Sequence, residues 1–324
     1  MCTAISLLAH EHYFGRTLDL EHTYAEAVTV TPRRFPFSYR ANAADREHHA
    51  IIGIATVMDG YPLYYDAVNE HGLCMAGLNF VGNAVYHPHR SGMTNLTQFE
   101  LIPWILGKCR TVAEAREALE RINLTDQSFR SDLPVPQLHW IISDKSGSIV
   151  AEPMQEGIMI YDDPVSILTN NPPFPFQMEH LTLYRRVSAA TEDQKIFQAP
   201  ALPVCSRGMG AMGLPGDWSS PSRFVRAAFV KGNARVPNQE SAAVGQFFHI
   251  LGTVEQVEGC VAAENGRLVR TQYTSCCNAD RGVYYYTSYG NHTITAVSMG
   301  KENLDGEALC VYPLVTQESI RWQN

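Results

Sequence analysis

Cys2 stands directly after the initiator methionine. Methionine ahead of so small a residue is normally removed, and Cys2 would then carry a free α-amine beside its thiol. The amine titrates near ~7.7–8.0 and the thiol near ~8.5, so at neutral pH the amine takes the thiol proton, directly or through a water. One residue thus supplies both nucleophile and base, and a neighbouring cation would favour the thiolate further. The segment Phe14-Gly15-Arg16-Thr17-Leu18-Asp19 reads as the strand that turns back along the N-terminal one, carrying a guanidinium and a carboxylate toward Cys2. Alternation puts Arg16 and Leu18 on one face and Thr17 and Asp19 on the other, so both groups serve Cys2 only with a strand end or bulge near Asp19. Taken singly, each candidate has an ordinary role. Cys2 is then a terminal thiol, Arg16 with Asp19 an ion pair, Asn170-Asn171-Pro172 a turn and Arg223 a first-turn helix residue.

Elements must position these groups. Strands are predicted over Thr3–Leu8, Tyr13–Asp19, Ala27–Thr31, Ala50–Met58 and Leu73–Phe80 from their alternating or continuous apolar pattern. Thr97-Gln98-Phe99-Glu100 and Thr111-Val112-Ala113-Glu114 have the spacing of capping boxes, so a helix is expected after each. Strands resume at Leu138–Ser143 and, after the turn Asp144-Lys145-Ser146-Gly147, at Ser148–Glu152, Gly157–Tyr161 and Ser166–Thr169. Helices are predicted over Gln177–Ser188, from a Ser220 cap with Pro221 in the first turn to about Lys231, and over Ser241–Leu251. Beyond Leu268 strands return, notably Val283–Tyr289 and His292–Ser298. This block order is not the strict alternation of a doubly wound fold, so the expected class is α+β, with helices on the faces of antiparallel sheets.

Composition narrows the function. The chain has 324 residues, 45% hydrophobic and 18% charged, which is an ordinary globular mixture; without a linker or repeat, residues 1–324 read as one domain. A net charge of -8 and no basic run argue against nucleic acid as a partner. The longest apolar stretches, such as Ala50–Met58, fall short of the ~18 residues of a membrane span. The N-terminus has no basic region and no small-residue cleavage site, so a cytoplasmic location is expected. The eight cysteines are scattered without a C-x-x-C pair, as buried thiols are.

Several blocks occur together in one order: Met1-Cys2-Thr3, Phe14 to Asp19, Asn69-Glu70-His71-Gly72-Leu73, Gly77-Leu78-Asn79-Phe80, Leu168-Thr169-Asn170-Asn171-Pro172, and Gly213-Leu214-Pro215-Gly216-Asp217-Trp218-Ser219-Ser220-Pro221-Ser222-Arg223-Phe224. Over essentially its whole length the chain resembles the choloylglycine hydrolase family of N-terminal nucleophile hydrolases, and within it the bile salt hydrolases. The resemblance implies a four-layer αββα sandwich of two antiparallel sheets. It implies Cys2 as nucleophile and base, Asp19 holding the α-amine and Arg16 near the thiol. Asn170 and Arg223 match two further catalytic positions, and Asn79 the oxyanion-hole position. Ala4 stands where many members have Gly. Asn79 favours bile salts, because penicillin V acylases of the family tend to carry Tyr there.

The implied substrates are glycine- or taurine-conjugated bile acids, with no cofactor and no metal, and the implied assembly is a homotetramer. Such a substrate needs an apolar groove and a donor-rich mouth. Leu18, Met58 and Leu138 are the expected groove residues, from apolar loops around Leu18, Met58–Tyr65 and Phe129–Leu138; Arg207 is expected at the anionic end. Rival readings are a penicillin V or N-acyl homoserine lactone acylase with the same nucleophile, and a glutamine amidotransferase, for whose synthase domain no residues are left over. A metal- or thiol-based binding protein is the most distant, suggested by 12 histidines including His10-x-His12 and His87-x-His89.

Overall fold

The computed structural model describes residues 1–42, 45–191, 204–263 and 265–324. The chain opens with a hairpin of β1 (Cys2–Leu8) and β2 (His12–Leu20), in which Cys2 pairs with Leu18 and Ala4 with Arg16. Then follow β3 (Ala27–Thr31), β4 (Ile51–Met58), β5 (Tyr61–Asn69), β6 (Cys74–Asn79) and β7 (Thr94–Thr97). Helices α1 (Leu101–Lys108) and α2 (Val112–Leu119) precede β8 (Ile122–Thr125), β9 (Leu138–Asp144), β10 (Gly147–Met154), β11 (Gly157–Asp162) and β12 (Ile167–Leu168). The last part holds α3 (Phe174–Leu181), α4 (Ser220–Asn233), α5 (Glu240–Gly252), β13 (Arg270–Asn278), β14 (Val283–Ser288), β15 (Asn291–Ser298) and β16 (Cys310–Pro313).

These strands make two antiparallel sheets. One has the order β12-β1-β2-β13-β14-β15, the other β11-β10-β9-β6-β5-β4-β3-β16, and β7 and β8 form a small parallel ladder apart. Helices α3, α4 and α5 lie with the first sheet, α1 and α2 on the second, and the two sheets face each other through β1, β2 and β6. The α+β class and the αββα layering expected from the sequence are therefore present. Strand β4 shows why its sequence is an unbroken apolar run: Ile52 and Ile54 enter the core between the sheets, while Ile51 and Ala55 enter the core under α1.

Several local expectations are corrected. Tyr61–Asn69, half of which had been assigned to loop, is strand β5, because its aromatic side chains are buried between layers. Thr97 ends β7, and only half of its capping box forms: Glu100 accepts the Thr97 N–H, but the Thr97 hydroxyl has no partner among the described residues, and α1 follows from Leu101. At Thr111 the cap forms, with its hydroxyl accepting from the Glu114 N–H at 3.2 Å, but Glu114 accepts from the Arg110 N–H instead. The helix expected over Gln177–Ser188 begins earlier, at Phe174 after Pro173, and ends at Leu181. Ser219, not Ser220, occupies the N-cap position of α4.

Candidate active site

Cys2 begins β1 and is 2% exposed. Its backbone N–H donates to Asn170 Oδ1 at 2.7 Å, so a side chain 168 residues away marks where an α-amine would sit after loss of Met1. Asn170 lies just beyond β12, the edge strand paired with β1. Its amide orientation is forced, because Oδ1 accepts from Cys2 N–H and from Arg223 Nη2 at 2.8 Å, and neither donor can accept. Asn170 Nδ2 therefore faces the other way and donates to the Asn79 carbonyl at 2.8 Å. Its own N–H is held by Ser220 Oγ at 2.8 Å, and its carbonyl accepts from Gln177 Nε2 at 3.2 Å.

Arg223 comes from the first turns of α4 and is fully buried. Its Nη1 donates to the Cys2 carbonyl and to Thr3 Oγ1, fastening the start of the strand that carries Cys2. Burial lowers the Arg223 pKa, against the pull of Asp19 and Cys2. Arg16, on the same face of the sheet as Cys2, donates from Nη1 to the carbonyls of Tyr65 and Gly77 in the second sheet, while its Nη2 has no hydrogen-bond partner among the described residues. Burial pulls the Arg16 pKa down, but Cys2, then Tyr273, Asp66 and Asp19, more than offset this and raise it.

Asp19 lies on the opposite face, as alternation requires. β2 itself runs without a bulge here; the irregularity lies in its partner β13, where Asp19 pairs with Thr271 and Leu18 with Tyr273, leaving Gln272 extra, and it does not carry the Asp19 side chain to the Cys2 face. The Asp19 carboxylate accepts from Thr271 Oγ1 at 2.7 Å, and its backbone exchanges hydrogen bonds with Met1. Burial raises its pKa, opposed first by the chain's N-terminal amine and then by Arg223.

Cys2, Arg16 and Asn79 line a cavity of about 430 Å³. Leu18, Met58 and Leu138, the expected groove residues, line it together with Phe99, Phe129 and Trp140. Arg207 is not among the lining residues; it is exposed, ahead of the short turn Met209–Ala211.

The sequence reading missed the supports. Asp66 of β5 is fully buried and accepts from Tyr273 Oη at 2.7 Å, Ser275 Oγ at 3.1 Å and Tyr284 Oη. Burial raises its pKa, with Arg16 the first opposing influence and the three hydroxyl donors next. A lone carboxylate inside the aromatic run Tyr61–Val68 was the available signal. Ser220 and Gln177 carried none.

Among the described residues, His49, Glu70 and His71 have ligand atoms within 4.8 Å of one another. Glu70 Oε1 already accepts from the Ala50 N–H at 2.9 Å and Arg33 Nε at 3.0 Å, and Oε2 from the same guanidinium, so this carboxylate is filled by an ion pair. His12 and His87 are likewise engaged, with Ser6 Oγ and the Met154 carbonyl.

The model of the linear amide C–N hydrolases, choloylglycine hydrolase family, matches residues 2–312. The chain is 48% identical over 314 residues to a bile salt hydrolase/transferase of Lactiplantibacillus plantarum, covering 97% of each. It is 34% identical over 329 residues to one of Clostridium perfringens, covering 100% of each. A crystal structure of conjugated bile acid hydrolase from Clostridium perfringens superposes with a TM-score of 0.93 at 34% identity over 100% of both chains. Penicillin V acylase from Agrobacterium tumefaciens, at 19% identity and a TM-score of 0.76 over 96% of this chain and 90% of that one, shares the fold. With the buried Cys2 constellation and a match across nearly its whole length, the chain belongs to the choloylglycine hydrolase family and is a linear amide C–N hydrolase.

Proposed function

We propose that the chain is a conjugated bile salt hydrolase that cleaves the amide of glycine- or taurine-conjugated bile acids through Cys2. The observation that carries this reading is Cys2 at the wall of an apolar cavity of about 430 Å³, in a chain 48% identical to a bile salt hydrolase/transferase. After Met1 is removed, the α-amine takes the thiol proton and the thiolate attacks the amide carbonyl. Donors around the oxyanion, for which Asn79 and Asn170 are the candidates, each contribute roughly 3 to 4 kcal/mol to lowering the barrier. The C–N bond then breaks as the α-ammonium protonates the departing nitrogen, leaving a thioester on Cys2. Water adds to the thioester, the thiolate departs, and bile acid leaves. The same reading takes residues 1–324 as one catalytic domain, working in the cytoplasm as a homotetramer; the cysteines are all free thiols, which suits a reducing compartment.

A competition tests it. Purified protein is given equal glycocholate, taurocholate and penicillin V beside a Cys2→Ala control, with products followed by mass spectrometry. Free cholate only from the Cys2 enzyme is the expected result; dominant phenoxyacetate would make the chain a penicillin V acylase with the same nucleophile. Arg207 at the anionic end of the substrate is a separate proposal. An unchanged KM and an unchanged glycine-to-taurine ratio in Arg207→Ala would remove it.

A further inference from the structure

His139 of β9 is fully buried and lies beneath the two asparagines of the site. It pairs with Leu78 in the register that sets Asn79 opposite Leu138. Its ring stacks on Phe80, the residue after Asn79, with centroids 4.3 Å apart and planes 8° from parallel. Its Nε2 is 2.8 Å from the carbonyl of Thr169, the residue before Asn170. One imidazole thus touches the neighbours of both candidate oxyanion donors, which belong to different sheets.

Hydrogen-bond counting fixes how it is held. A carbonyl can only accept, so Nε2 carries a hydrogen. Nδ1 lies 3.0 Å from Glu152 Oε1, and a bare lone pair there would face a carboxylate oxygen across a buried contact. A second proton therefore sits between Nδ1 and Oε1, on one or the other, and the pair is neutral as a whole. Glu152 Oε1 also accepts from the Phe174 N–H at 3.0 Å, which anchors the start of α3 after the Asn170-Asn171-Pro172 turn. Glu152 Oε2 is buried without a partner, so this carboxylate serves only the imidazole and that N–H among the described residues.

We propose that His139, held by Glu152, is a positioning residue that fixes Asn79 and Asn170 relative to each other and so sets the geometry of the oxyanion site. It touches no substrate. The proposal rests on the amidase reading in which these asparagines face the reacting carbonyl. Its effect belongs to the transition state, because a misplacement of about 1 Å can lower a rate ~10²-fold while substrate binding in the apolar cavity is untouched.

The test compares His139→Phe, His139→Gln and Glu152→Gln with wild type on any amide the wild type turns over, alongside the rate at which iodoacetamide alkylates Cys2. His139→Phe keeps a flat ring against Phe80 but loses both nitrogens. It is expected to lower kcat about 100-fold, with KM and the alkylation rate within about threefold of wild type. His139→Gln restores a donor near the Nε2 position and is expected to recover at least tenfold of that loss. Glu152→Gln removes the shared proton's acceptor at constant size and is expected to lower kcat about tenfold with alkylation intact; it decides the matter should His139→Phe not fold. An unaltered kcat in Glu152→Gln, a Gln variant no better than Phe, or kcat and alkylation falling together would overturn the proposal. Failure of the substrate assignment is seen separately, as a wild type that releases no cholate.

Discussion

Asn170 is the residue on which the Cys2 site turns, because one amide group both accepts from the Cys2 N–H and donates to the Asn79 carbonyl. Asn170→Ala removes the anchor for the future α-amine and a candidate oxyanion donor together, so kcat should fall by about 10²–10³. Circular dichroism close to wild type would accompany that loss, and a kcat within threefold of wild type would contradict the role. Arg223→Lys retains charge but cannot reach the Cys2 carbonyl, Thr3 Oγ1 and Asn170 Oδ1 in one planar fork. At least about tenfold loss of kcat is expected, with slower Cys2 alkylation because the strand itself loosens. His139, by contrast, should change kcat without slowing alkylation, and this difference separates its contribution from that of Arg223.

At the scale of elements, β2 leaves no room for an added side-chain atom at Gly15. A Cβ at Gly15 would stand 2.0 Å from the Ser275 carbonyl oxygen, so Gly15→Ala must part β2 from β13 next to Arg16. A loss of several kcal/mol is expected from such a clash in a sheet buried on both sides, read as a fall in the urea midpoint. His12 starts the same strand, and burial pulls its pKa down to about 4, against Asp280 and Asp144. The unfolded chain takes up that proton near ~6.5 and the folded chain resists it to about 4, so this stability is present above pH ~6.5 and is lost as pH falls toward 4. The loss amounts to about 3 kcal/mol, and His12→Gln, which keeps a partner for Ser6 Oγ, should flatten it. Equal slopes of unfolding free energy between pH 7 and pH 5 in the two proteins would count against this.

For the whole molecule, two sheets each covered by helices give a large apolar interior, and the cavity is set into it beside Cys2. Phe129 and Leu138 contribute apolar wall far from the nucleophile in sequence. Phe129→Ala should raise KM for a conjugated bile salt by about tenfold with kcat little changed, the size expected for losing one aromatic contact. A fall in kcat alone would place Phe129 at the reacting end instead. Light scattering on the eluted peak tests the proposed homotetramer; a monomer at working concentration would end that part of the reading.

The sequence by itself determined the types and order of the candidate site residues. Cys2, Arg16 and Asp19 sit in one hairpin, whose alternation is a local property, and the placing of Arg16 and Asp19 on opposite faces follows from a two-residue period. Helix and strand blocks were legible for the same reason, since a period of 3.6 or 2 is written in neighbouring residues. Strand β5 was not, because Pro62 and Asp66 interrupt the apolar run that would mark it, and neither were the bounds of α3, where Pro173 and the preceding turn decide the start. Only the tertiary structure brought Asn170 and Arg223 onto Cys2, across 168 and 221 residues, because that contact depends on how β12 docks beside β1 and α4 packs over it. Glu152 and His139 were silent in the sequence, and Asp66 offered only a lone carboxylate in an aromatic run, for a related reason. A buried polar residue declares its role only through its partners, and those partners come from other layers of the sandwich.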